Sequence, residues 1–243
     1  MIAAPKRIAV WSGPRNLSTA MMRSFGSRRD TLCIDEPFYA PFLDLTGLPH
    51  PMRAEILACH CADATAVANQ LSEGPAMAPV IYQKQMTHHM VNGIPRAWMK
   101  RVTHVFLIRH PARVLASYAR KMETADLHAI GFPQQAELYD QAEAHTGHRP
   151  VVIDADDILN EPEAMLDKLC SALGLEFDDA MLSWAAGPRP EDGAWAPHWY
   201  DAVLKSTGFG PPPGDLPTLP AELQSVCDQA LPIYEALAAK KLA

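Results

Sequence analysis

A short segment near the start of the chain, Ser12–Thr19, carries residue types that suit the binding of a phosphate group. It follows an apolar run and precedes residues with helical spacing, so it joins the end of a strand to the start of a helix. Unpaired backbone N–H groups and the helix dipole attract an anion there. Gly13 permits close backbone approach, Arg15 supplies a fixed charge, and Ser18 and Thr19 supply hydroxyls. We call Ser12–Thr19 the phosphate loop.

The phosphate loop differs from the usual nucleoside-triphosphate loop, G-x-x-x-x-G-K-[ST]. Counted from Gly13, the positions of the second glycine, the lysine and the hydroxyl hold Ser18, Thr19 and Ala20. The lysine that contacts the β- and γ-phosphates is therefore missing, and the magnesium-binding hydroxyl is not at its usual place. The pattern predicts phosphate binding without the usual kinase chemistry. The alternative is a plain connector capped by Asn16 or Ser18.

A second candidate anion site lies at the end of a later apolar run, Val105–Ile108, which is followed by Arg109 and Pro111. Ser117 lies eight positions after Arg109, within a pattern typical of a helix. A guanidinium at the carboxyl end of a strand and a hydroxyl two turns into the next helix can bind one phosphate. This segment therefore predicts a second phosphate contact.

The elements that must position these residues alternate between strands and helices. The predicted strands are Arg7–Trp11, Thr31–Ile34, Pro79–Gln83, Val102–Ile108 and Pro150–Ile153. The predicted helices are Leu17–Phe25, Arg53–Leu71, Pro111–Met122, Pro133–His145, a helix capped by Asn160 that runs through Leu173, and Ala221–Lys241 with a break at Pro232. This alternation predicts an α/β protein with three α/β/α layers and a central, mostly parallel sheet.

Length and composition favour one globular domain, predicted to span residues 1–243. The formal net charge of −7 argues against a general nucleic-acid binder, which needs a basic face. No apolar run is long enough to span a membrane and no targeting segment is visible, so we expect no membrane partner. Five scattered cysteines favour free thiols and a cytoplasmic location.

Two segments carry residue types that can bind a metal ion. Cys59-His60-Cys61 has no second ligand pair at zinc-site spacing, so it indicates a helix surface. The acidic turn Asp154–Asp157 indicates a helix cap and a solvated rim. Neither segment predicts a metal site.

The segment from Ala185 to Pro220 is rich in proline, glycine and tryptophan and shows little periodicity. A loop of this length is usually functional or disordered. Its aromatic residues favour an ordered lid or pocket wall, and they are Trp195, Trp199, Tyr200 and Phe209. We call residues 185–220 the late segment.

The phosphate loop resembles a motif of the sulfotransferase family, which uses 3′-phosphoadenosine 5′-phosphosulfate (PAPS) and releases PAP. That family has a strand-end loop of the form Pro-[Lys/Arg]-Ser-Gly-Thr-Thr. The residues that match it one by one are Pro14, Arg15, Ser18 and Thr19. Asn16 and Leu17 depart from its central Ser-Gly. The resemblance implies a P-loop-NTPase-like sulfotransferase fold.

The second candidate site resembles the 3′-phosphate motif of the same family. That motif is an arginine at a strand end, a nearby proline, and a serine eight positions after the arginine, which Arg109, Pro111 and Ser117 match. The family also has a C-terminal segment that closes over the 3′-phosphate. Its counterpart here is the run Lys205, Ser206, Thr207 and Gly208, although the family's Arg-Lys-Gly run is absent.

The resemblance assigns roles to these residues. Residues 13–19 would bind the 5′-phosphosulfate end of PAPS, while Arg109 and Ser117 would bind its 3′-phosphate. Arg15 would stabilise the leaving phosphate, with Lys84, which follows the predicted strand, assisting. The implied reaction moves a sulfuryl group from PAPS to a hydroxyl or amine of a small-molecule acceptor and needs no metal.

The catalytic base is predicted to be Glu36. Many relatives carry a histidine two positions after the lysine, but Met86 stands there in this chain. Other members have a glutamate after the second strand, and Asp35-Glu36-Pro37 resembles the Glu-Pro-Phe-containing branch. In an open α/β sheet that strand end faces the ligand crevice. His88 and His89 are the alternative bases, and Glu36 could instead be a solvated loop carboxylate.

Two other functions fit the same residues. One is a nucleotide-dependent kinase with an atypical phosphate loop, which would need magnesium and bind ATP. The other is a non-catalytic nucleotide-binding module, an alternative that the departures at Asn16, Leu17 and Met86 leave open. The sequence indicates neither the identity of the acceptor nor an oligomeric state.

Overall fold

The apolar runs of the sequence form five β-strands that pair side by side in one sheet. The computed structural model describes residues 4–75, 77–120 and 125–242. The strands are β1 (Lys6–Ser12), β2 (Thr31–Asp35), β3 (Val80–Met86), β4 (Thr103–Ile108) and β5 (Val151–Asp154). Their order in the sheet is β2-β3-β1-β4-β5, and each neighbouring pair is parallel.

Helices and short 3-10 turns connect these strands. The helices are α1 (Ser18–Gly26), α2 (Tyr39–Thr46), α3 (Arg53–Cys59), α4 (Ala64–Glu73), α5 (Pro111–Tyr118), α6 (Phe132–Thr146), α7 (Ala155–Asn160), α8 (Pro162–Ala172), α9 (Ala196–Trp199) and α10 (Ala221–Ala238). The 3-10 turns are Thr87–His89, Ala97–Arg101, Asp179–Leu182 and Val203–Lys205.

Both faces of the sheet are covered by helices. Successive side chains of a strand point to opposite faces, and here the side chains on both faces are apolar and need burial. On one face, Ile8, Val10 and the neighbouring strands pack against α1 and α8. On the other face, Ala9 and Trp11 pack against α4, α6 and α10. The predicted three-layer α/β/α fold with a parallel central sheet is confirmed.

The predicted helix Arg53–Leu71 is wrong, because two helices occupy this region. α3 ends at Cys59, and His60 has an extended backbone with φ −124° and ψ 151°. Asp63 then caps α4 by accepting hydrogen bonds from Thr65 N and Ala66 N, at 2.8 and 3.1 Å. A side chain that competes for the backbone in this way starts a new helix.

Three other helix predictions need correction. Asn160 is the last residue of α7, and Glu161 stands between it and α8, which begins at Pro162 without a side-chain cap. Asn160 therefore does not cap α8. The predicted break at Pro232 is absent, since α10 continues through it. The helix predicted to reach Met122 ends at Tyr118, and its last two predicted residues lie outside the described part of the chain.

β3 is longer than predicted, and this changes the position of Lys84. The strand lies between β2 and β1 and pairs with β1 as far as Met86. Lys84 is therefore inside the strand, opposite Asp35 of β2 and Val10 of β1. Because the strands are parallel, their carboxyl ends bring the phosphate loop, Glu36 and Arg109 to the same edge of the sheet.

The late segment contains α9 and one 3-10 turn, and its Gly208 forms an isolated antiparallel bridge with Ser183, which precedes the segment. Two of its aromatic side chains, those of Trp195 and Tyr200, are buried. Among the helices in the described ranges, none is both long and apolar enough to cross a membrane.

Candidate active site

The phosphate loop turns sharply between β1 and α1. Arg15 and Leu17 both have left-handed backbone conformations, with φ of 64° and 68°. Leu17 precedes α1 and gives it no side-chain cap, so the predicted alternative of a connector capped by Asn16 or Ser18 is wrong. The Asn16 side chain instead donates to the carbonyl of Leu107 on β4, at 3.4 Å. The loop is thus tied to the strand that carries the second site.

Gly13 is needed for a contact within the protein. A Cβ at this position would collide with the carbonyl oxygen of Ile130. Gly13 therefore lies against another loop of the chain, and its predicted approach to a phosphate stays a prediction.

The two predicted anion sites meet at Arg15. The Nε atom of Arg15 donates to Ser117 Oγ at 2.9 Å, although these residues are 102 positions apart. Arg109 Nη1 donates to the Arg15 carbonyl oxygen, also at 2.9 Å. Two guanidiniums from different motifs are thus held side by side by neutral oxygen acceptors. We call Arg15, Arg109 and Ser117 the anion half of the site.

Nearby carboxylates compensate this positive charge only in part. Asp156 Oδ2 accepts from Arg113 Nε at 2.7 Å, while Asp156 Oδ1 lies 3.6 Å from Arg109 Nε. Burial, followed by the charges of Arg109 and Arg120, lowers the pKa of Arg15. Burial also lowers the pKa of Arg109, against the attraction of Asp156. Burial is the main cause of both shifts, and neighbouring arginines add to it, so an anion bound here would stabilise the charged guanidiniums.

A second charged group lies on the β2–β3 side of the same edge. The ammonium of Lys84 donates to Asp35 Oδ1 at 2.9 Å, to Tyr200 Oη at 2.8 Å, and to Glu36 Oε1. Lys84 is only 1% exposed. Burial alone would lower the pKa of Lys84, but the two carboxylates outweigh it and the pKa is raised. We call Asp35, Glu36, Lys84 and Tyr200 the carboxylate half.

Glu36 has an unusual backbone and one carboxylate oxygen with little contact. Its φ is 37°, a conformation that non-glycine residues rarely adopt. Its backbone N–H donates to the Lys84 carbonyl at 3.0 Å, which extends the sheet pairing by one residue. Glu36 Oε2 lies 4.0 Å from His89 Nε2. Burial is the main cause of the raised pKa of Glu36, and the charge of Lys84 opposes it.

Of the two candidate histidines, His89 is buried beside Glu36, and the half-buried His88 contacts the His89 ring, with centroids 4.4 Å apart. The His89 ring stacks on Tyr39 and Phe42, with centroids 4.4 and 5.0 Å apart. Burial lowers the pKa of His88 to about 3 and that of His89 well below its ordinary value. Both rings are therefore neutral near neutral pH.

One cavity of about 430 Å³ opens onto both halves, a volume within the range of small-molecule sites. The predicted residues that line it are Pro14, Arg15, Asn16, Leu17, Ser18, Thr19, Glu36, Lys84, His88, His89, Arg109, Ser117, Ser206 and Gly208. Lys205 and Thr207, by contrast, have exposed side chains. Further lining residues that the sequence analysis did not single out as site residues are Tyr39, His50, Tyr118, Trp199 and Tyr200.

Asp156 is another site residue that the sequence analysis missed, since we predicted a solvated rim there. An acidic turn after β5 gives no local sign that it faces two arginines of another strand–helix unit. Within the described ranges, no group of three or more His, Cys, Asp or Glu side chains could hold a metal ion. His60 of the Cys-His-Cys segment accepts a hydrogen bond from Ala194 N at 3.1 Å.

The sequence model of the family described as "Sulfotransferase domain" matches residues 6–241. Two relatives from Arabidopsis thaliana bear the names branched-chain-amino-acid aminotransferase-like protein 2 and protein 1. The first is 37% identical over 230 residues, covering 95% of this chain and 41% of the relative. The second is 37% identical over 236 residues, covering 97% and 42%. This chain therefore spans about two fifths of their length.

Solved structures share the fold at low sequence identity. The sulfotransferase domain from the curacin biosynthetic pathway aligns with a TM-score of 0.53 and 16% identity, covering 93% of this chain and 97% of that one. The sulfotransferase domain of the Synechococcus PCC 7002 olefin synthase gives 0.51 and 17%, covering 100% and 98%. A sulfotransferase from Alicyclobacillus acidocaldarius gives 0.54 and 12%, covering 99% and 98%.

Proposed function

The chain belongs to the sulfotransferase domain family, and on that premise we propose that it transfers a sulfuryl group from PAPS to a hydroxyl or amine of a small-molecule acceptor. The observation that carries the proposal is the meeting of Arg15, Arg109 and Ser117 beside Glu36 in one cavity. Such a transfer uses groups that stabilise the leaving phosphate and a general base, and a carboxylate can act as that base.

The anion half fits a ligand with several negative charges. Arg15 and Arg109 donate the hydrogen bonds described above to neutral oxygens. The pKa values of both are lowered by burial and by neighbouring cations. Nε of Arg109 is buried without a hydrogen-bond partner among the described residues. In our proposal Arg109 and Ser117 hold the 3′-phosphate, and the phosphate loop holds the 5′ end.

When bound, PAPS would supply an electrophilic sulfur and a phosphate leaving group. Glu36 Oε2 would take the proton of the acceptor while the new bond to sulfur forms. Arg15 would stabilise the charge left on the 5′-phosphate. Neutral His88 and His89, with Tyr39, form the wall beside Glu36, where an uncharged or aromatic acceptor would pack.

Titration calorimetry with PAP, AMP and ATP plus magnesium tests the nucleotide assignment. A charge-assisted hydrogen bond contributes about 1.5–3 kcal/mol, so PAP should bind roughly ten- to hundred-fold more tightly than AMP. Tighter binding of ATP with magnesium would favour the kinase alternative. Equal affinity for PAP and AMP would remove the 3′-phosphate role.

Turnover of labelled PAPS against a panel of acceptors then separates an enzyme from a binding module. Arg15→Ala should weaken PAPS binding and also lower turnover, because the phosphate is charged both before and during the reaction. Slow hydrolysis of PAPS to PAP gives a readout before the acceptor is known. PAP binding with no turnover of any kind would favour the non-catalytic module.

A further inference from the structure

The ammonium of Lys84 has no donor left for a ligand. A lysine ammonium has three N–H groups, and the acceptors here are Asp35 Oδ1, Glu36 Oε1 and Tyr200 Oη. The side chain is also almost completely buried within β3. A phosphate could gain a contact from Lys84 only if one of these three bonds broke.

Tyr200 completes this group from a distant part of the sequence. Its hydroxyl donates to Asp35 Oδ2 at 2.6 Å and accepts from Lys84 and, at 3.1 Å, from Trp195 Nε1. The backbone N–H of Gly193 donates to the same Asp35 oxygen at 3.2 Å. One donor and two acceptor positions of the hydroxyl are thus in use, which fixes its orientation.

We propose that Tyr200 and Asp35 are positioning residues, which fix Lys84 so that it holds Glu36 Oε1 and leaves Oε2 as the oxygen that meets the acceptor. This inference rests on the proposed function. Glu36 touches the acceptor, and the other three residues act through it. Lys84 accordingly serves the base, while Arg15 serves the leaving phosphate.

Stability alone does not account for this group. Buried ion clusters are often less stable than apolar side chains of the same volume. Here a buried lysine, two carboxylates and a tyrosine lie next to the cavity. They hold a residue in a rare backbone conformation, since Lys84 contacts Glu36 through both its carbonyl and its ammonium. Such strain is characteristic of functional positions.

The titration of Glu36 in the ligand-free protein provides a direct test. The groups that face Glu36 are Asp35, Lys84 of β3, His89 of the following turn, Tyr39 of α2, and Tyr200 of the late segment. Tyr200 holds the Lys84 ammonium, whose charge lowers the pKa of Glu36, whereas the Asp35 charge raises that pKa. Tyr200→Phe should therefore raise this pKa and Asp35→Asn should lower it.

The measurement uses protein with ¹³C-labelled glutamate carboxyls, with the Glu36 signal identified by its absence in Glu36→Gln. Tyr82→Phe is the matched control. Tyr82, which lies on β3, is buried like Tyr200, and its hydroxyl has no hydrogen-bond partner within the described chain. It should leave the Glu36 titration unchanged. Opposite shifts in the two test variants support the proposal, whereas no shift or shifts of the same sign overturn it.

Kinetics distinguish failure of this inference from failure of the proposed function. Tyr200→Phe should lower kcat about 10- to 100-fold, the effect of a misplaced reacting group, and keep PAP affinity within about twofold. The acid limb of its pH–rate profile should move to higher pH. Unchanged kcat in an active protein would overturn the positioning role alone. A wild-type protein that binds PAP no better than AMP and never turns over PAPS would overturn the proposed function.

Discussion

The two halves of the site contain similar charged residues in opposite arrangements. In the anion half, Arg15 and Arg109 donate to a hydroxyl and a carbonyl, and the Asp156 carboxylate lies 3.6 Å from Arg109, so most of their positive charge remains for a ligand. In the carboxylate half, Lys84 donates to two carboxylates and a phenol, so its charge is compensated inside the protein. The pKa of both arginines is lowered while that of Lys84 is raised. The neighbours of a cation, more than its presence at a strand end, determine what it can bind.

The largest effect should come from removing the base. Glu36→Gln should cut kcat by about 10²–10⁴-fold and leave PAP affinity nearly unchanged, because the anion half is intact. Steady-state rates and calorimetry measure the two quantities, and Glu222→Gln on the exposed start of α10 is the control. If Glu36→Gln keeps full activity, Glu36 is a bystander and His88 or His89 is the next residue to substitute.

The pH dependence of kcat gives a second reading of the same residue. A base must be deprotonated, and burial raises the pKa of Glu36. The rate should therefore rise with pH through a limb above the ordinary glutamate value of about 4.3, and this limb should vanish in Glu36→Gln. A base at His88, whose pKa is about 3, would place the limb at lower pH.

Replacing Lys84 should affect stability more than ligand binding. Lys84→Met leaves two buried carboxylates uncompensated, which should cost about 3–5 kcal/mol in the free energy of unfolding. The loss should shrink as the pH falls and Glu36 becomes protonated. Denaturant unfolding measures it, and Lys168→Met, an exposed position on α8, should change stability by less than about 0.5 kcal/mol. If Lys84→Met instead weakens PAP binding more than tenfold, the contrast between the halves is wrong.

Replacing Arg109 should show the converse behaviour. Arg109→Ala should remove the roughly ten- to hundred-fold preference for PAP over AMP. Little stability should be lost, because the repulsion between Arg109 and Arg15 is also removed. Calorimetry with both nucleotides checks this result, and the exposed Arg29→Ala is the control. A variant that keeps the full preference would contradict the assignment of the 3′-phosphate.

The smallest effect should come from the backbone of the phosphate loop. The left-handed conformation of Leu17 costs about 1–2 kcal/mol, which Leu17→Gly would relieve. The greater freedom of glycine in the unfolded chain and the loss of apolar packing oppose this gain, so stability should change by less than about 1 kcal/mol. The buried Leu138→Gly should instead cost at least about 3 kcal/mol. A loss of that size at Leu17 would show that its packing, rather than its backbone, matters.

The sequence alone predicted the layered fold because each strand and helix has a local apolar period. It also predicted which residues stand at strand ends, and parallel pairing then placed them at one edge. The prediction failed where a local pattern competes with a cap or with sheet pairing, as at Asp63 and in β3. Pro232 stayed within a helix for a similar reason, since the packed face of α10 outweighs one missing hydrogen bond.

The arrangement of charges around the cavity was decided only by tertiary structure. Lys84 receives its carboxylate from Asp35, 49 positions away, and its phenol from Tyr200, 116 positions away. Asp156 approaches Arg113 across 43 positions. Composition and spacing show that a lysine and a carboxylate exist, but the electrostatic energy of each depends on distance and burial. Those quantities are set when the late segment and the sheet edge pack together.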